Sequence, residues 1–343
     1  MKDEQYMRAA LRQASLGTGF TSPNPAVGAV IVRGGRIVAR GHHRRAGLPH
    51  AEIEALRALA SPALARGATL YVTLEPCSTH GRTPPCVDAI LAAGLRRVVV
   101  GAVDPNPRHR GRGLELLRKA GVEVTAGVLE KEAEALNPGF NKWIATGLPW
   151  VIAKAGMSLD GRLSRPPGEG QWLTSEASRR DAQQLRLRAD AILIGANTLR
   201  ADDPRLTVRG IPRAEEKEQP WRIVLTRGRS ELPQSAHLFT DAARDRTLVF
   251  AGQSLRTVLR TLARDRGVTT VLIEGGMRVL GEAFDRKLVD EVCFYLAPLI
   301  CAGPVVAVGG IGAGSSAEAV RLVEPQYRRI GDDVRLSGRI LRL

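Results

Sequence analysis

Cysteine is scarce in this sequence of 343 residues, which contains only four. That number is too small for the disulfide framework of a secreted scaffold, and it favours a metal site or buried thiols in a cytosolic protein. Cys293 and Cys301 are predicted to be small core residues near a strand. Cys77 and Cys86 lie in a more informative setting, which is described below.

Long apolar segments are also missing. The longest uncharged stretch includes residues 296–314, which contain two prolines and several glycines and therefore predict a buried strand followed by a glycine-rich loop rather than a membrane span. The first residues after Met1 are charged, and no secretory signal follows them. We therefore expect a cytoplasmic protein.

Aromatic residues make up only 4% of the sequence, and no run of five basic residues occurs despite a net charge of +15. Proteins that bind single-stranded nucleic acids stack bases on aromatic rings, and nucleic-acid-binding domains cluster their basic residues. The scattered arginines therefore favour a small anionic ligand, such as a phosphorylated metabolite. A basic nucleic-acid-binding protein stays as an alternative of a different class.

Strand and helix patterns alternate along both halves of the chain. In the first half, strands are predicted at residues 26–32, 37–41, 69–74, 97–103 and 122–126, and helices at 3–15, 50–60, 86–93 and 113–119. In the second half, strands are predicted at 151–155, 191–194, 222–226, 247–251, 270–274 and 291–296, and helices at 175–188, 255–264 and 278–285. Residues 137–149, with their Pro-Gly and Gly-Leu-Pro steps, are interpreted as a linker. We predict two α/β domains, 1–145 and 149–343, each with a parallel or mixed sheet covered on both faces.

A zinc motif is present in the first half. His50 begins a predicted helix with Glu52 two residues later, Cys77 follows a predicted strand, and Cys86 begins the next helix. This order of residues is typical of zinc-dependent nucleobase deaminases. One imidazole and two thiolates would bind the metal, which lowers the pKa of water from about 15.7 to about 7. Glu52 would carry the proton to the leaving amine.

The residue spacing alone leaves the third ligand open. Eight residues separate Cys77 from Cys86, whereas the commoner Cys-x-x-Cys spacing would put His80 in the third position. We prefer Cys86, because two preceding prolines place it rigidly at a helix start. The alternative is that these residues bind no metal: His50 would then be a surface histidine, and both cysteines would be core residues.

Longer motifs connect the sequence to a known family. The segments PNPAVG (23–28), TLEPCSTHGRTPPC (73–86) and DPNP (104–107) closely resemble the bacterial bifunctional riboflavin-biosynthesis deaminase/reductase family. The segments SLDGR (158–162), WLTS (172–175), ADDPRLTVR (201–209) and EGG (274–276) are similar to the reductase domain of that family. The resemblance covers nearly the whole chain. It implies Cys86 as the third zinc ligand, because the family uses the long spacing between cysteines.

The resemblance also implies a fold and two reactions. A cytidine-deaminase-like three-layer α/β/α domain, with one Zn²⁺ per chain, would hydrolyse an amino group from a diaminohydroxyphosphoribosylaminopyrimidine. A dihydrofolate-reductase-like α/β domain would then use NADPH to reduce the ribosyl group to ribityl. The implied cofactor contacts are Gly156, Trp172, Thr198, Asp202, Gly276, Met277, Arg278, Val279, Leu280, Gly281 and Glu282. The implied substrate contacts are position Gly170 together with Arg186, Leu206, Arg209 and Glu274.

Some of these positions also have a physical rationale. Gly275-Gly276 leads from a predicted strand into a helix, whose N-terminal N–H groups suit a phosphate, although an ordinary turn would look the same. Arg186 and Arg209 suit the substrate phosphate, because a guanidinium matches phosphate oxygens in pairs. Either arginine would otherwise be a solvated surface residue.

Two positions depart from the family pattern. Gly170 stands where the family often has serine, so a hydroxyl contact is lost there. Arg227 stands where the family often has a small polar residue, and it would suit the 2′-phosphate of NADPH. An equal alternative is a surface turn at Arg227-Gly228-Arg229.

The expected partners are phosphorylated pyrimidines, without nucleic acid or a membrane, and a homo-oligomer is left open. The enzymatic alternative is a zinc deaminase of cytidine or an RNA base with a non-catalytic second domain. That alternative explains the first half of the chain and leaves the second half without a role.

Overall fold

The computed structural model describes residues 2–80, 84–163, 172–228 and 232–341. The chain divides into two compact units, Met1–Gly147 and Leu148–Leu343, and each unit contains one β-sheet with helices. Among the described residues, every helix is too short or too polar to cross a lipid bilayer.

The first unit contains a five-stranded sheet with strand order β2-β1-β3-β4-β5. Its strands are β1 (Gly28–Arg33), β2 (Arg36–His42), β3 (Thr69–Leu74), β4 (Arg97–Ala102) and β5 (Glu123–Ala126). Its helices are α1 (Lys2–Ser15), α2 (Ala51–Arg57), α3 (Cys86–Ala92), α4 (Arg112–Lys119), α5 (Glu130–Leu136) and α6 (Pro138–Thr146). Strand β1 is antiparallel to both neighbours, whereas β3, β4 and β5 are parallel.

Helices cover both faces of this sheet, which gives three layers. On one face, Met7 and Ala10 of α1 pack on Val30 and Tyr71. On the other face, α2, α3 and α4 pack on the alternate side chains of the same strands. The contact between α2 and β2 is close, because a Cβ added to Gly41 would lie 2.4 Å from the Ala51 carbonyl oxygen. Strand β2 therefore fixes the start of α2, where the first predicted zinc ligand lies.

The second unit contains an eight-stranded sheet with strand order β12-β13-β11-β6-β10-β7-β8-β9. Its strands are β6 (Trp150–Ser158), β7 (Ala191–Gly195), β8 (Trp221–Thr226), β9 (Thr247–Ala251), β10 (Thr270–Glu274), β11 (Glu291–Ala297), β12 (Leu322–Ile330) and β13 (Asp333–Ile340). Its helices are α7 (Glu176–Arg188), α8 (Ala196–Asp202), α9 (His237–Thr240), α10 (Leu255–Arg266) and α11 (Met277–Asp285). All neighbouring strands are parallel except at β13, which is antiparallel to both β11 and β12.

Successive residues of the central strand β6 alternate between two cores. Val151 packs with helices α10 and α11 on one face, and Ile152 packs with α7, α8 and α9 on the other. Because the parallel strands β6, β7, β8 and β10 all end at the same edge, that edge is where loop residues from several strands meet. The α/β class predicted from the sequence, with a mixed sheet in each domain, is confirmed.

Three local predictions differ from the structure. Residues 138–146 form helix α6 rather than a linker, because Pro138 occupies the first helical position and Gly147, with φ of +68°, ends the helix. Strands β12 and β13 were not predicted, since most β12 side chains are exposed and show no apolar alternation. Cys293 is buried as predicted, but Cys301 lies half-buried in the loop after β11 rather than in the core.

Candidate active sites in the two units

Three side chains converge in the first unit to form a candidate metal centre. The ligand atoms of His50, Cys77 and Cys86 all lie within 4.8 Å of one another. Nδ1 of His50 is 3.2 Å from Sγ of Cys86 and 3.5 Å from Sγ of Cys77. His50 precedes α2, Cys77 follows β3, and Cys86 is the first residue of α3. Three separate elements therefore hold the three ligands.

The structure also distinguishes the two candidates for the third ligand. Cys86 is fully buried, and its backbone N–H donates a hydrogen bond to Sγ of Cys77 at 3.3 Å. His80 is exposed, and within the described part of the chain it does not belong to the group of possible metal ligands. The geometry therefore brings Cys86, and not His80, to the other two ligands.

The pKa of the Cys77 thiol suits a site that binds a cation. Hydrogen bonds from Cys86 and His50 lower the pKa of the Cys77 thiol to about 4, although burial opposes this shift. The hydrogen bond to Cys77, together with burial, raises the pKa of Cys86. Thiolates are the form of cysteine that binds a metal, so a divalent ion would favour deprotonation of both sulfurs.

Glu52 lies beside the ligands in the first turn of α2 and is 3% exposed. Burial raises the pKa of its carboxyl group to about 7, while the positive charge of His50 opposes this rise. A group with a pKa near the working pH can both accept and donate a proton. The position and acidity of Glu52 therefore suit proton transfer beside the metal centre.

Sequence reasoning missed His43, which is buried against the ligand His50 with the two ring centroids 5.3 Å apart. Its Nδ1 lies 3.0 Å from the Pro49 carbonyl oxygen, which can only accept, so Nδ1 carries the proton. Its Nε2 then accepts a hydrogen bond from the Asn24 amide at 3.1 Å. Burial lowers the pKa of His43, which keeps the ring neutral. The contact links the motif around Asn24 to the metal centre, a relation that only the fold reveals.

The second unit contains a pocket of about 630 Å³ at the carboxyl ends of β6, β7, β8 and β10. Most of the implied cofactor contacts line it, namely Gly156, Trp172, Thr198, Asp202, Gly276, Met277, Arg278, Val279 and Glu282. Arg227 lines it too. Leu280 does not line it because its side chain is fully buried in the core. Gly281 packs instead against Gly309, where an added Cβ would lie 2.4 Å from the carbonyl carbon.

The turn that enters helix α11 has a backbone conformation that favours glycine. Gly275 and Gly276 have φ values of +87° and +85°, a backbone conformation that residues other than glycine rarely adopt. A Cβ on Gly276 would lie 3.1 Å from Oγ1 of Thr198. Because Gly276 directly precedes Met277 at the start of α11, the N–H groups of the first helical turn border the pocket.

Glu274 and Arg186 form a buried pair at the end of β10. Nε and Nη2 of Arg186 donate to the two Glu274 carboxylate oxygens at 2.5 and 2.8 Å. Burial opposes ionisation of Glu274, but the charges of Arg186 and Lys154 prevail and lower its pKa to about 2. Arg186 also donates to the carbonyl oxygen of Thr207 at 3.0 Å. It therefore orients Glu274 and the loop that contains Thr207, and it is not presented alone to a phosphate.

The other implied substrate residues differ in their settings. Leu206 is buried with a positive φ of +50°, so its backbone is held in an uncommon conformation. Arg209 is exposed, and its Nη1 donates to Oγ1 of Thr207 at 3.0 Å. Gly170 lies outside the described residues. Of the described substrate predictions, Glu274 lines the pocket, and Arg186 and Leu206 belong to the structure around it. Arg209 interacts electrostatically with Arg186 and Glu274.

Lys154 is a second residue that sequence reasoning missed. Its Nζ lies 3.9 Å from Oε2 of Glu274, and it lines the same pocket. Burial raises the pKa of Asp202, another lining residue, although the charge of Lys154 opposes this shift. A lysine inside the apolar run of β6 was the available signal, since a strand interior rarely contains a charge without a reason.

A second cavity of about 850 Å³ shares Arg227 and Arg278 with this pocket.

Comparisons with known proteins agree with both units. Residues 149–336 match the family model of the RibD C-terminal domain, and residues 1–102 match that of the cytidine and deoxycytidylate deaminase zinc-binding region. The riboflavin biosynthesis protein RibD of Escherichia coli strain K12 is 41% identical over 362 residues, which cover 97% of this chain and 98% of that protein. The structure of Acinetobacter baumannii RibD, at 36% identity, matches with a TM-score of 0.92 over 99% of both chains. A Thermotoga maritima structure, described as a diaminohydroxyphosphoribosylaminopyrimidine deaminase/5-amino-6-(5-phosphoribosylamino)uracil reductase, matches at 32% identity and a TM-score of 0.87 over 99% of both chains.

Proposed function

Because the chain belongs to the RibD family of bifunctional deaminase/reductases in riboflavin biosynthesis, we propose which residues carry out each of its two reactions. The first unit would be the deaminase and the second unit the reductase. The substrates would be successive phosphorylated pyrimidines, beginning with diaminohydroxyphosphoribosylaminopyrimidine. The observation that carries the proposal is the convergence of His50, Cys77 and Cys86 beside the buried Glu52.

We assign one zinc ion per chain to His50, Cys77 and Cys86, because one nitrogen and two sulfur ligands are a common catalytic donor set for zinc. The bound ion would supply Lewis acidity that makes water a better nucleophile near neutral pH. Glu52 removes a proton from the attacking water and delivers it to the amino group. The new C–O bond replaces the C–N bond, and ammonia leaves.

We assign the pocket of the second unit to NADPH and the deaminated substrate, with the cofactor phosphates at the start of α11. NADPH supplies a hydride to the ribosyl carbon when it is bound. The ring oxygen needs a proton as the C–O bond opens, and Lys154 is the donor that we propose, because it lines the pocket next to Glu274. Glu274, oriented by Arg186, would accept hydrogen bonds from the substrate, and the exposed Arg209 would bind its phosphate.

The two activities can be measured separately in one experiment. Incubation with the diaminopyrimidine nucleotide and NADPH should give both ammonia release and NADPH oxidation. Removal of zinc with a chelator should stop ammonia release, because only the first unit uses the metal. Reduction of the separately supplied deaminated intermediate should continue. If chelation also stopped this reduction while the circular dichroism spectrum was unchanged, the assignment of the steps to the two units would be wrong.

Arg227 is expected to favour NADPH over NADH. It follows β8, it is exposed, and it lines both cavities of the second unit. The extra phosphate of NADPH carries roughly two negative charges, as other phosphomonoesters do. A charge-assisted hydrogen bond contributes about 1.5–3 kcal/mol, so Arg227→Ala should raise KM for NADPH by about ten- to a hundredfold. KM for NADH should change little.

Steady-state reduction rates at varied concentrations of each cofactor would test this expectation. Arg260→Ala is the matched control, because Arg260 is an exposed arginine on α10 outside the described lining of both cavities. Equal losses with NADPH and NADH would assign Arg227 to a structural role. No loss with either cofactor would return it to an ordinary surface turn.

A further inference from the structure

Glu75 is a buried carboxylate next to the metal centre that neither proposed reaction uses. It follows β3, lies two residues before the ligand Cys77, and is 6% exposed. Its Oε2 accepts the backbone N–H groups of Asp104 at 3.1 Å and Gly111 at 2.9 Å. Its Oε1 accepts the backbone N–H of Gly113 at 2.9 Å. One side chain thus binds both ends of the segment 104–113.

The segment 104–113, called here the β4–α4 loop although it includes the first two residues of α4, has a defined internal structure. Oδ1 of Asp104 accepts the N–H of Asn106 at 2.8 Å, and Oδ1 of Asn106 accepts the N–H of Arg108 at 3.0 Å. Gly111 has a φ of +79°, which other residues rarely adopt. A Cβ on Gly113 would lie 2.2 Å from the carbonyl oxygen of Pro76. The loop therefore needs Glu75 and two glycines to keep this conformation.

The position of the β4–α4 loop places it at the border of the candidate metal centre. Strands β3 and β4 are parallel neighbours, and the N–H of Glu75 donates to the carbonyl oxygen of Ala102 at the end of β4 at 3.0 Å. Ligands of α/β sheets bind at the carboxyl ends of parallel strands. Since β3 leads into Cys77 and β4 leads into the loop, both segments face the same region.

The chemistry of the β4–α4 loop suits a phosphorylated substrate. Arg108, Arg110 and Arg112 are all exposed, and no acidic residue interrupts them. Such a concentration of positive charge attracts an anionic substrate and raises its local concentration. The conformation of the loop, which Glu75 holds, determines where these guanidinium groups lie.

We propose that Glu75 is a positioning residue of the deaminase, which holds the β4–α4 loop in the conformation that receives the phosphorylated substrate. It takes no part in metal binding or in proton transfer. This inference rests on the proposed deaminase function of the first unit. A carboxylate is required because it offers acceptors on both oxygens, whereas an amide would direct N–H groups at one of the backbone donors.

The test is Glu75→Gln, which preserves the shape of the side chain. KM for ammonia release should rise by about tenfold or more, since charge-assisted hydrogen bonds to the loop are lost, while kcat should change by less than about threefold. Zinc content and reduction of the deaminated intermediate should stay at the level of the unaltered chain. Glu115→Gln, which changes an exposed carboxylate on α4, is the matched control and should leave KM unchanged.

A second variant tests the same loop without touching Glu75. Gly111→Ala disfavours the positive φ of the loop, and within the described part of the chain no atom other than its chain neighbours lies within 4 Å of the added Cβ. It should raise KM in the same manner, and the double variant should raise KM by less than the product of the two single effects. If Glu75→Gln failed to fold, Gly111→Ala would carry the test alone.

The outcomes separate the inference from the proposed function. An unchanged KM in both variants, a loss confined to kcat, or a loss of zinc in step with activity would overturn the positioning role of Glu75. Absence of ammonia release from the unaltered chain would instead overturn the deaminase function itself, and the inference with it.

Discussion

Replacement of Glu52 by glutamine is expected to abolish ammonia release while zinc stays bound. The amide has nearly the shape of the carboxyl group, so the buried site beside α2 should keep its packing. An amide cannot take a proton from water and pass it to the leaving amine. General acid–base catalysis contributes about 10²- to 10⁴-fold to the rate of a reaction, and a loss of that order is expected.

Glu54→Gln is the matched control for this experiment. Glu54 lies in the same helix turn as Glu52, but its carboxylate pairs with Arg44 and Arg57. Its replacement should leave ammonia release close to normal. The zinc content and the reduction of the deaminated intermediate should be normal in both variants. Near-normal deamination by Glu52→Gln would remove this residue from its proposed role.

Replacement of Cys86 by alanine is expected to remove both zinc and ammonia release. Of the ligand group found among the described residues, His50 and Cys77 would remain, and structural or catalytic zinc sites use three or four protein ligands. Metal analysis of the purified protein should show less than stoichiometric zinc in Cys86→Ala. His80→Ala should keep its zinc, because this side chain is exposed and outside the ligand group among the described residues.

Cys293→Ala is the control for loss of a buried thiol. Cys293 lies in β11 of the second unit, far along the chain from the ligands, and its removal should leave zinc content unchanged. Cys86→Ala should still reduce the deaminated intermediate with NADPH. Full zinc retention in Cys86→Ala, together with zinc loss in His80→Ala, would reverse the assignment of the third ligand.

Much of the fold was predictable because local and tertiary preferences agree. The apolar runs that form β3, β4 and β10 are short and buried, and glycines end several of the helices between them. The family predicted from the motifs is confirmed. Helix α6 was assigned wrongly because its Pro and Gly residues also suit a linker, and only their positions at the two helix ends distinguish the alternatives.

The two sites differ in how far the sequence predicts them. The spacing of His50, Cys77 and Cys86 and the family resemblance predicted that these residues lie together. That they bind zinc stays a prediction. The pairing of Arg186 with Glu274 could not be predicted, because the residues are 88 positions apart and either one also suits a surface. Lys154 was missed for the same reason, since its partner lies on a neighbouring strand.

The strand order of the second unit has a consequence for biosynthesis on the ribosome. Strand β6 is the first strand of this unit to be synthesised, but its partners in the sheet are β10 and β11. Trp150 therefore cannot pair until Thr270 has been synthesised. In the first unit, β1 pairs with β2 across a two-residue turn, and all five strands lie within residues 28–126. Domains generally fold as units during synthesis, at about 5–20 residues per second. The ribosome therefore releases a complete first sheet while the nascent chain of the second unit still exposes an unpaired apolar strand.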